Sequence, residues 1–411
     1  MMKQVIFLVD MQSFFASVEK AKHYRHLKHP LVVSGDPKRR SGVILAACPL
    51  AKQAGIKNGE RLWEAQEKCP NLISVSPHMQ EYIDNSLAIT NILKSITDLV
   101  EPYSIDEQFM DVTYSQKLFG TPENMARHIQ HEIYTKLRVV ARVGIGENKV
   151  LAKMACDTFS KHKKNGVFHL KKDEIETVLW PLPIEKLFRA GSQMARHLRR
   201  RAIRTIGDLA RTDVTKIKKE WGIHGHVLWM NAHGVDYSPV SLSTTDRQKG
   251  IGNGMTLPRD YHDITDIKVV LLELCEEVCR RARQAHVMSQ TVSLGVTGST
   301  YSIKTGFHRQ MTIADPTNIT LDIYRIACGL FDTFWDGQPI RRLHVSLTNL
   351  VNDNAVQLSL FKEKQADHIK LGYETDKILT KYGKNSLVRA SSLLASSQAK
   401  DRAAKIGGHY K

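Results

Sequence analysis

Asp10 closes a short β-branched run, Val5-Ile-Phe-Leu-Val9, and an acidic pair, Asp106-Glu107, sits between two further extended runs. Carboxylates are hard oxygen donors. Mg²⁺ prefers octahedral oxygen ligands, usually one or two carboxylates completed by substrate phosphates and water. Two such ions held side by side activate an attacking oxygen and stabilise a leaving one in phosphoryl transfer. Taken singly, each acid has a plainer reading: Asp10 as a helix cap, Asp106-Glu107 as the surface of a hairpin tip. The chemistry depends on whether the fold brings all three to one patch.

The elements that would do so are legible. Val5–Val9 reads as a buried strand. Residues 80–99 repeat apolar side chains at helical spacing, at Ile83, Leu87, Ile92, Ile96 and Leu99. Val100–Ser104 and Phe109–Thr113 read as a hairpin with Ile105-Asp106-Glu107-Gln108 between its strands. Pro122 opens a helix with Met125, Ile129, Ile133 and Leu137 along one stripe, and Val139–Ile145 closes the block as a strand. Strand, helix, hairpin, helix, strand is the βαββαβ order of a ferredoxin-like sheet. In that sheet the first strand lies beside the third, so Asp10 faces Asp106 and Glu107. The insertion after the first strand, residues 11–79, is then a subdomain of its own.

Beyond this block, residues 172–240 read as helical and rich in Lys and Arg, with Thr205-Ile-Gly-Asp-Leu209 starting a helix. Residues 241–249, SLSTTDRQK, are polar and without period, and read as a linker. A helix follows with Leu271, Cys275, Val278, Ala282 and Ala285 on one face. Strands at Thr291–Val296, Tyr301–Thr305 and Leu343–Leu347 complete a second small α/β domain over 250–350. From about Asn352 the sequence turns polar.

The chain of 411 residues is long enough for several compact units, and 42% apolar residues suffice for ordinary cores. Lys and Arg number 59 against 42 Asp and Glu, a formal charge of +17. So basic a protein points to a polyanionic partner, nucleic acid above all. The N-terminal apolar run is too short for a signal peptide, and no stretch approaches the roughly 18 apolar residues of a membrane span. Six scattered cysteines suit a reducing cytosol. Cys275 and Cys279 share a helical face but lack a second pair to complete a zinc site, and read as core residues.

Asp10-Met-Gln-Ser-Phe-Phe-Ala-Ser-Val-Glu19 and Ser104-Ile-Asp-Glu107 resemble the two signature motifs of Y-family DNA polymerases. Gly146-Glu-Asn-Lys-Val-Leu-Ala-Lys153 resembles that family's helix after the last palm strand. Gly250-Ile-Gly-Asn-Gly-Met-Thr-Leu-Pro-Arg-Asp-Tyr261 resembles the start of its little-finger domain. The similarity runs in order over nearly the whole chain, and within the family is nearest to Gram-positive members related to the catalytic subunit of DNA polymerase V.

The resemblance implies a right-hand polymerase: palm at 1–10 and 80–171, fingers at 11–79, thumb at 172–240, linker at 241–249, little finger at 250–350, tail at 351–411. It implies a low-fidelity, template-directed DNA polymerase of translesion synthesis and repair, a monomer working in the cytoplasm at the nucleoid. Asp10, Asp106 and Glu107 match the catalytic, metal-binding acids, with the Met11 carbonyl as an added ligand to two Mg²⁺ ions, for which Mn²⁺ can substitute. Ser13, Phe14, Phe15, Lys52 and Lys161 match positions at the incoming dNTP. Phe14 and Phe15 lie under the sugar, and Phe15 matches the steric gate against a ribose 2′-hydroxyl. The inserted His162-Lys163-Lys164 leaves the register of Lys161 open.

The chain departs from the family pattern in the fingers, where Pro49 and Lys52 stand for a common Tyr and Arg; Lys supplies a point charge but no bidentate fork. Gln12 replaces a frequent Asp. Phe188-Arg-Ala-Gly-Ser-Gln-Met194 resembles a helix-hairpin-helix loop, with Gly191 kept but Arg189 where another Gly is usual. Such loops aim backbone N–H groups at a DNA phosphate. Arg196 and Arg200 would lie near the primer-template backbone. Gln357, Leu358, Leu360 and Phe361 match the QLxLF peptide that bacterial replication and repair proteins insert into the sliding clamp. Two rivals remain: a catalytically silent DNA-binding scaffold, and a nucleotidyl cyclase, which shares the ferredoxin-like palm but needs no basic thumb or clamp peptide.

Overall fold

The computed structural model of the chain describes residues 3–23, 26–36, 42–242, 248–300, 305–355, 365–406 and 409–410. The chain divides into two compact units, one built chiefly from residues 1–35 and 43–244, the other chiefly from 245–411.

The first unit is organised by a five-stranded sheet. Its strands are β1 (Ile6–Met11), β5 (Val100–Pro102), β6 (Glu107–Asp111), β7 (Ala141–Gly146) and β8 (Val167–His169), in spatial order β5-β6-β1-β7-β8. β1 pairs antiparallel with β6 and with β7, which is the ferredoxin-like order expected, while β8 adds a parallel edge strand to β7. All six residues of β1 are buried, so it lies at the centre of the sheet with a core on either face.

Two helices cover one face: α4 (Met79–Lys94), and α6 (Pro122–Leu137), which starts with Pro122 behind a Thr121 side-chain cap. The expected apolar stripe is realised in α6, whose Met125, Ile129 and Ile133 are fully buried. In α4, Leu87 instead faces solvent, at 58% exposure, and the helix ends at Lys94 rather than running on to Leu99. The hairpin also differs from expectation: β5 ends at Pro102 and β6 begins at Glu107, so Glu107 and Gln108 belong to a strand and Asp106 to the turn.

The insertion after β1 carries α1 (Phe14–Lys22), a small sheet of β2 (Leu31–Ser34), β3 (Ile44–Ala47) and β4 (Ile73–Val75), and two short helices, α2 (Pro49–Gln53) and α3 (Leu62–Lys68). It shares one apolar core with the central sheet. After β7 comes α7 (Lys149–Met154), which runs into a π-helical turn at Ala155–Phe159. The seating of α7 is unusually close. A Cβ on Gly144 would come within 2.2 Å of the Ala152 carbonyl and 2.4 Å of the Cys156 nitrogen, so only glycine lets helix and strand backbones meet. The helical region that follows, with α8 (Ser192–Arg199), α9 (Ile206–Arg211) and α10 (Val214–Ala232), has its own core.

The second unit is a four-stranded antiparallel sheet, β9 (Gly250–Tyr261), β10 (Val287–Gly298), β11 (Gly306–Thr317) and β12 (Ile340–Asn352), ordered β11-β10-β12-β9. It packs on α11 (Ile264–Gln284) and α12 (Thr320–Phe334). The strand expected at Tyr301–Thr305 is found later, as β11; residues 301–304 lie outside the described ones. The described part of the polar C-terminal stretch is folded. Its helix α13 (Gln365–Tyr382) is tied to α11 by a buried ion pair, Arg283 Nε to Asp376 Oδ2 at 2.7 Å. Further on, the Ser396 carbonyl accepts the Tyr261 hydroxyl at 2.8 Å, and Ser397 and Gln398 bond Glu273.

Candidate active site

Asp10 and Glu107 are register partners across β1 and β6, which points both side chains to the same face of the sheet. Asp106 lies one residue earlier, on the turn. Its carbonyl accepts the Met11 N–H at 2.9 Å and its carboxylate accepts the Ser104 hydroxyl at 2.7 Å. Ser104 Oγ in turn accepts the N–H of Glu107 at 3.1 Å and of Asp106 at 3.3 Å, so Ser104 shapes the turn that presents both acids.

The three acids are neighbours, but their carboxylates do not gather as a tight trio. Among the described residues, the group whose ligand atoms lie within 4.8 Å of one another is Asp10, Cys156 and Asp157. Cys156 and Asp157 come from the π-helical turn, which packs on β1 and β7.

Two lysines close the patch. Lys161 Nζ lies 2.7 Å from Asp10 Oδ2 and 2.8 Å from Asp157 Oδ1. Lys153 Nζ lies 2.6 Å from Glu107 Oε1 and 3.0 Å from Asp157 Oδ2. Asp157 therefore bridges the lysine on each catalytic candidate. Burial, and then a hydrogen bond shared with Glu107, push the Asp10 carboxyl up to about 7 against the pull of Lys161. Burial disfavours the charge on Asp157 too, but Lys161 and Lys153 outweigh it and hold that carboxyl below its usual range. The same acids overcome burial at both ammonium groups and raise them above the ordinary lysine value.

Two crowded acids of which one resists ionising, with cations drawn onto both, form a site that a divalent cation would relieve. The oxygen donors gathered here are carboxylates, which fit Mg²⁺. Cys156 does not join that set: burial drives its thiol well above its ordinary value, so it stays a neutral packing group.

Around this patch, Ser13 caps α1 in a left-handed conformation, φ 51°, and its hydroxyl accepts Lys52 Nζ at 3.0 Å. Pro49 now has a local reason: it stands at the first turn of α2, where its missing N–H costs nothing, and α2 carries Lys52. Gln12 Oε1 accepts Arg142 Nη2 at 2.9 Å, tying the residue just after β1 to β7. Phe14 is buried in the core at 3% exposure, whereas Phe15 is half-buried and lies flat on Tyr82, ring centroids 4.4 Å apart and 14° from parallel.

The hairpin loop of the helical region is also resolved in detail. Arg189 takes φ 70°, the conformation for which glycine is usual. Gly191 is the N-cap of α8, and a Cβ there would meet nothing within 4 Å, so the backbone faces open space. Arg199 is paired with Glu185 and Arg201 with Glu220, each at 2.6 Å. Arg196 and Arg200 are exposed and make no ion pair among the described residues. Gln357, Leu358, Leu360 and Phe361 lie outside the described residues.

Residues 9–157 match the impB/mucB/samB family, and residues 248–360 match the C-terminal domain of that family. The chain is 58% identical over 410 residues to DNA polymerase IV 2 of Halalkalibacterium halodurans and 59% identical over 413 residues to DNA polymerase IV 2 of Bacillus subtilis, with both chains fully covered in each case. It is 40% identical over 402 residues to DNA polymerase IV of Pelotomaculum thermopropionicum, covering 98% of each. Among solved structures it is similar to a Y-family DNA polymerase chimera of Dbh and Dpo4, at 25% identity and a TM-score of 0.71, over 85% of this chain and 99% of that one. The chain belongs to the impB/mucB/samB family of Y-family DNA polymerases.

Proposed function

We propose that the chain is a template-directed, low-fidelity DNA polymerase of translesion synthesis and repair. It joins a dNTP to a primer 3′ end at the Asp10–Glu107 patch. The observation that carries this reading is the register pairing of Asp10 with Glu107, with Lys161 and Lys153 poised over them, in a chain of this family.

Asp10, Asp106, Glu107 and the Met11 carbonyl would hold two Mg²⁺ ions, with Mn²⁺ able to replace them. When bound, the metal supplies a Lewis acid for both the attacking 3′-oxygen and the pyrophosphate leaving group. The protein's own part is placement. Lys52 and Lys161 meet the triphosphate, and Ser13 holds Lys52 within reach of it. Lys161 trades Asp10 for phosphate oxygens, so a charge already stored at the site is handed to the substrate rather than brought from water. Phe15 packs under the sugar and leaves no space for a 2′-hydroxyl.

Gly191, Arg196 and Arg200 would meet primer-template phosphates through backbone N–H groups and unpaired guanidinium charge. Such binding is sequence-independent and weakens with salt. Gln357, Leu358, Leu360 and Phe361 would recruit the chain, as a monomer, to the bacterial sliding clamp. Among the described residues no helix is long and apolar enough to cross a membrane, and the reading places the enzyme in the cytoplasm, at the nucleoid. Primer extension with labelled DNA and Mg²⁺ tests the proposal. Templated addition supports it; DNA binding with no addition points to a silent scaffold, and cyclisation of free nucleotide to a cyclase.

A further inference from the structure

Glu19 is a carboxylate with no solvent exposure at all, one turn along α1 from Phe15. Its Oε1 accepts the Tyr82 hydroxyl at 2.6 Å and lies 2.8 Å from His78 Nδ1. Its Oε2 has no hydrogen-bond partner, only Lys22 Nζ at 3.9 Å. A buried carboxylate so incompletely satisfied is a costly way to join two helices; an apolar side chain would serve packing better. What the carboxylate does that an apolar group cannot is fix the Tyr82 hydroxyl, and so the plane of the ring on which Phe15 lies.

The chain of contacts is short and continuous. Glu19 belongs to α1; His78 caps α4 and Tyr82 sits in its first turn. Tyr82 is fully buried and also touches Phe14, centroids 6.5 Å apart. Phe15 is only partly buried; its ring neighbours are Tyr82, on which it lies flat, and Phe14, with centroids 5.8 Å apart. The position of the Phe15 ring therefore follows that of Tyr82, and Tyr82 is held by the Glu19 oxygen.

We propose that Glu19 is a positioning residue for sugar selection: through the Tyr82 hydroxyl it holds the ring stack that keeps Phe15 against the sugar of the incoming nucleotide. The proposal rests on Phe15 being the steric gate. A steric filter works only if its wall cannot recede, because an added hydroxyl is rejected by an unyielding contact and tolerated by a soft one. Loosening Tyr82 should admit ribonucleotides while leaving the metal ligands and lysines as they are.

The test is single-nucleotide insertion of dNTP and rNTP by the full chain and by Glu19→Met, Glu19→Gln, Tyr82→Phe and Phe15→Ala, with a thermal melt of each. Met fills the space of Glu without an acceptor; Gln keeps one. Glu19→Met and Tyr82→Phe should raise the rNTP/dNTP ratio of kcat/KM about fivefold or more, mainly through KM for rNTP, with dNTP kcat within about threefold of wild type. Glu19→Gln should restore the wild-type ratio, and Glu19→Met should add nothing in the Phe15→Ala background. Should Glu19→Met fail to melt cooperatively, Tyr82→Phe carries the comparison. If Phe15→Ala relaxes sugar choice while the folded Glu19→Met and Tyr82→Phe proteins do not, Glu19 is only a structural tie and the proposal is wrong. If Phe15→Ala does not relax it either, the gate is elsewhere and both readings fall.

Discussion

Lys161 Nζ sits 2.7 Å from Asp10 Oδ2, so the cation nearest the central acid comes from the chain itself. His162-Lys163-Lys164 left the register of this lysine open; in the structure it is Lys161 whose ammonium lies against the patch. Lys161→Ala should raise KM for dNTP more than it lowers kcat. One charge-assisted hydrogen bond is worth about 1.5–3 kcal/mol, or about 10- to 150-fold in affinity. Steady-state insertion kinetics at fixed Mg²⁺ would show it, and an unchanged KM would remove Lys161 from the triphosphate.

The double variant Asp106→Ala, Glu107→Ala should abolish nucleotide addition yet bind primer-template within a few-fold of wild type. These acids act on charge that develops in the transition state, not on the bound duplex. Extension above roughly a percent of wild type would contradict their metal-binding role.

Phe14 and Phe15 should part company. Phe15→Ala removes the flat face offered to the sugar and should admit ribonucleotides. Phe14→Ala instead empties a core site, and large-to-small changes there cost about 3–5 kcal/mol, so its effect should be a lowered melting temperature with sugar choice intact. Insertion ratios and melts of both variants decide it. The opposite pattern would shift the gate to Phe14.

Gly144→Ala should be disproportionately damaging for one methyl group. The new Cβ would collide with the Ala152 carbonyl and the Cys156 nitrogen, both backbone atoms. Overpacking of this kind costs about 1–3 kcal/mol or more. Chemical denaturation should show that loss, and activity should fall with it because the same backbone carries Lys153 and Asp157.

Leu360→Ala with Phe361→Ala should leave synthesis on bare primer-template unchanged and remove stimulation by a bacterial clamp. Extension assays with and without clamp measure both. Equal stimulation of the variant would exclude this peptide as the anchor.

The Asp10–Glu107 partnership was legible because it needs only the order of elements, and apolar periods mark those well. The lysine–aspartate bridge was not. Asp157 falls in the π-helical turn, where the 3.6-residue period lapses, so Ala-Cys-Asp-Thr-Phe carries no face to read. β11 was misplaced for a related reason: it is an edge strand, exposed on both faces through most of its length, and shows no alternation. Helix α13 escaped because the residue it buries against α11 is Asp376, which composition alone assigns to solvent. Glu19 reads as an ordinary polar helix position until the fold lays Tyr82 over it.

The π-helical turn at Ala155–Phe159 also sets a phase. Asp157 is four residues after Lys153 and four before Lys161, and the bulge keeps all three pointing the same way. Winding the same nine residues at α-helical pitch would turn Lys161 about 80° away from the direction of Lys153, because eight steps of about 100° overshoot two full turns. Lys161 would swing off Asp10 while Lys153 stayed on Glu107. The widened turn thus acts as a phase corrector, bringing back into line two lysines that α-helical pitch would set apart.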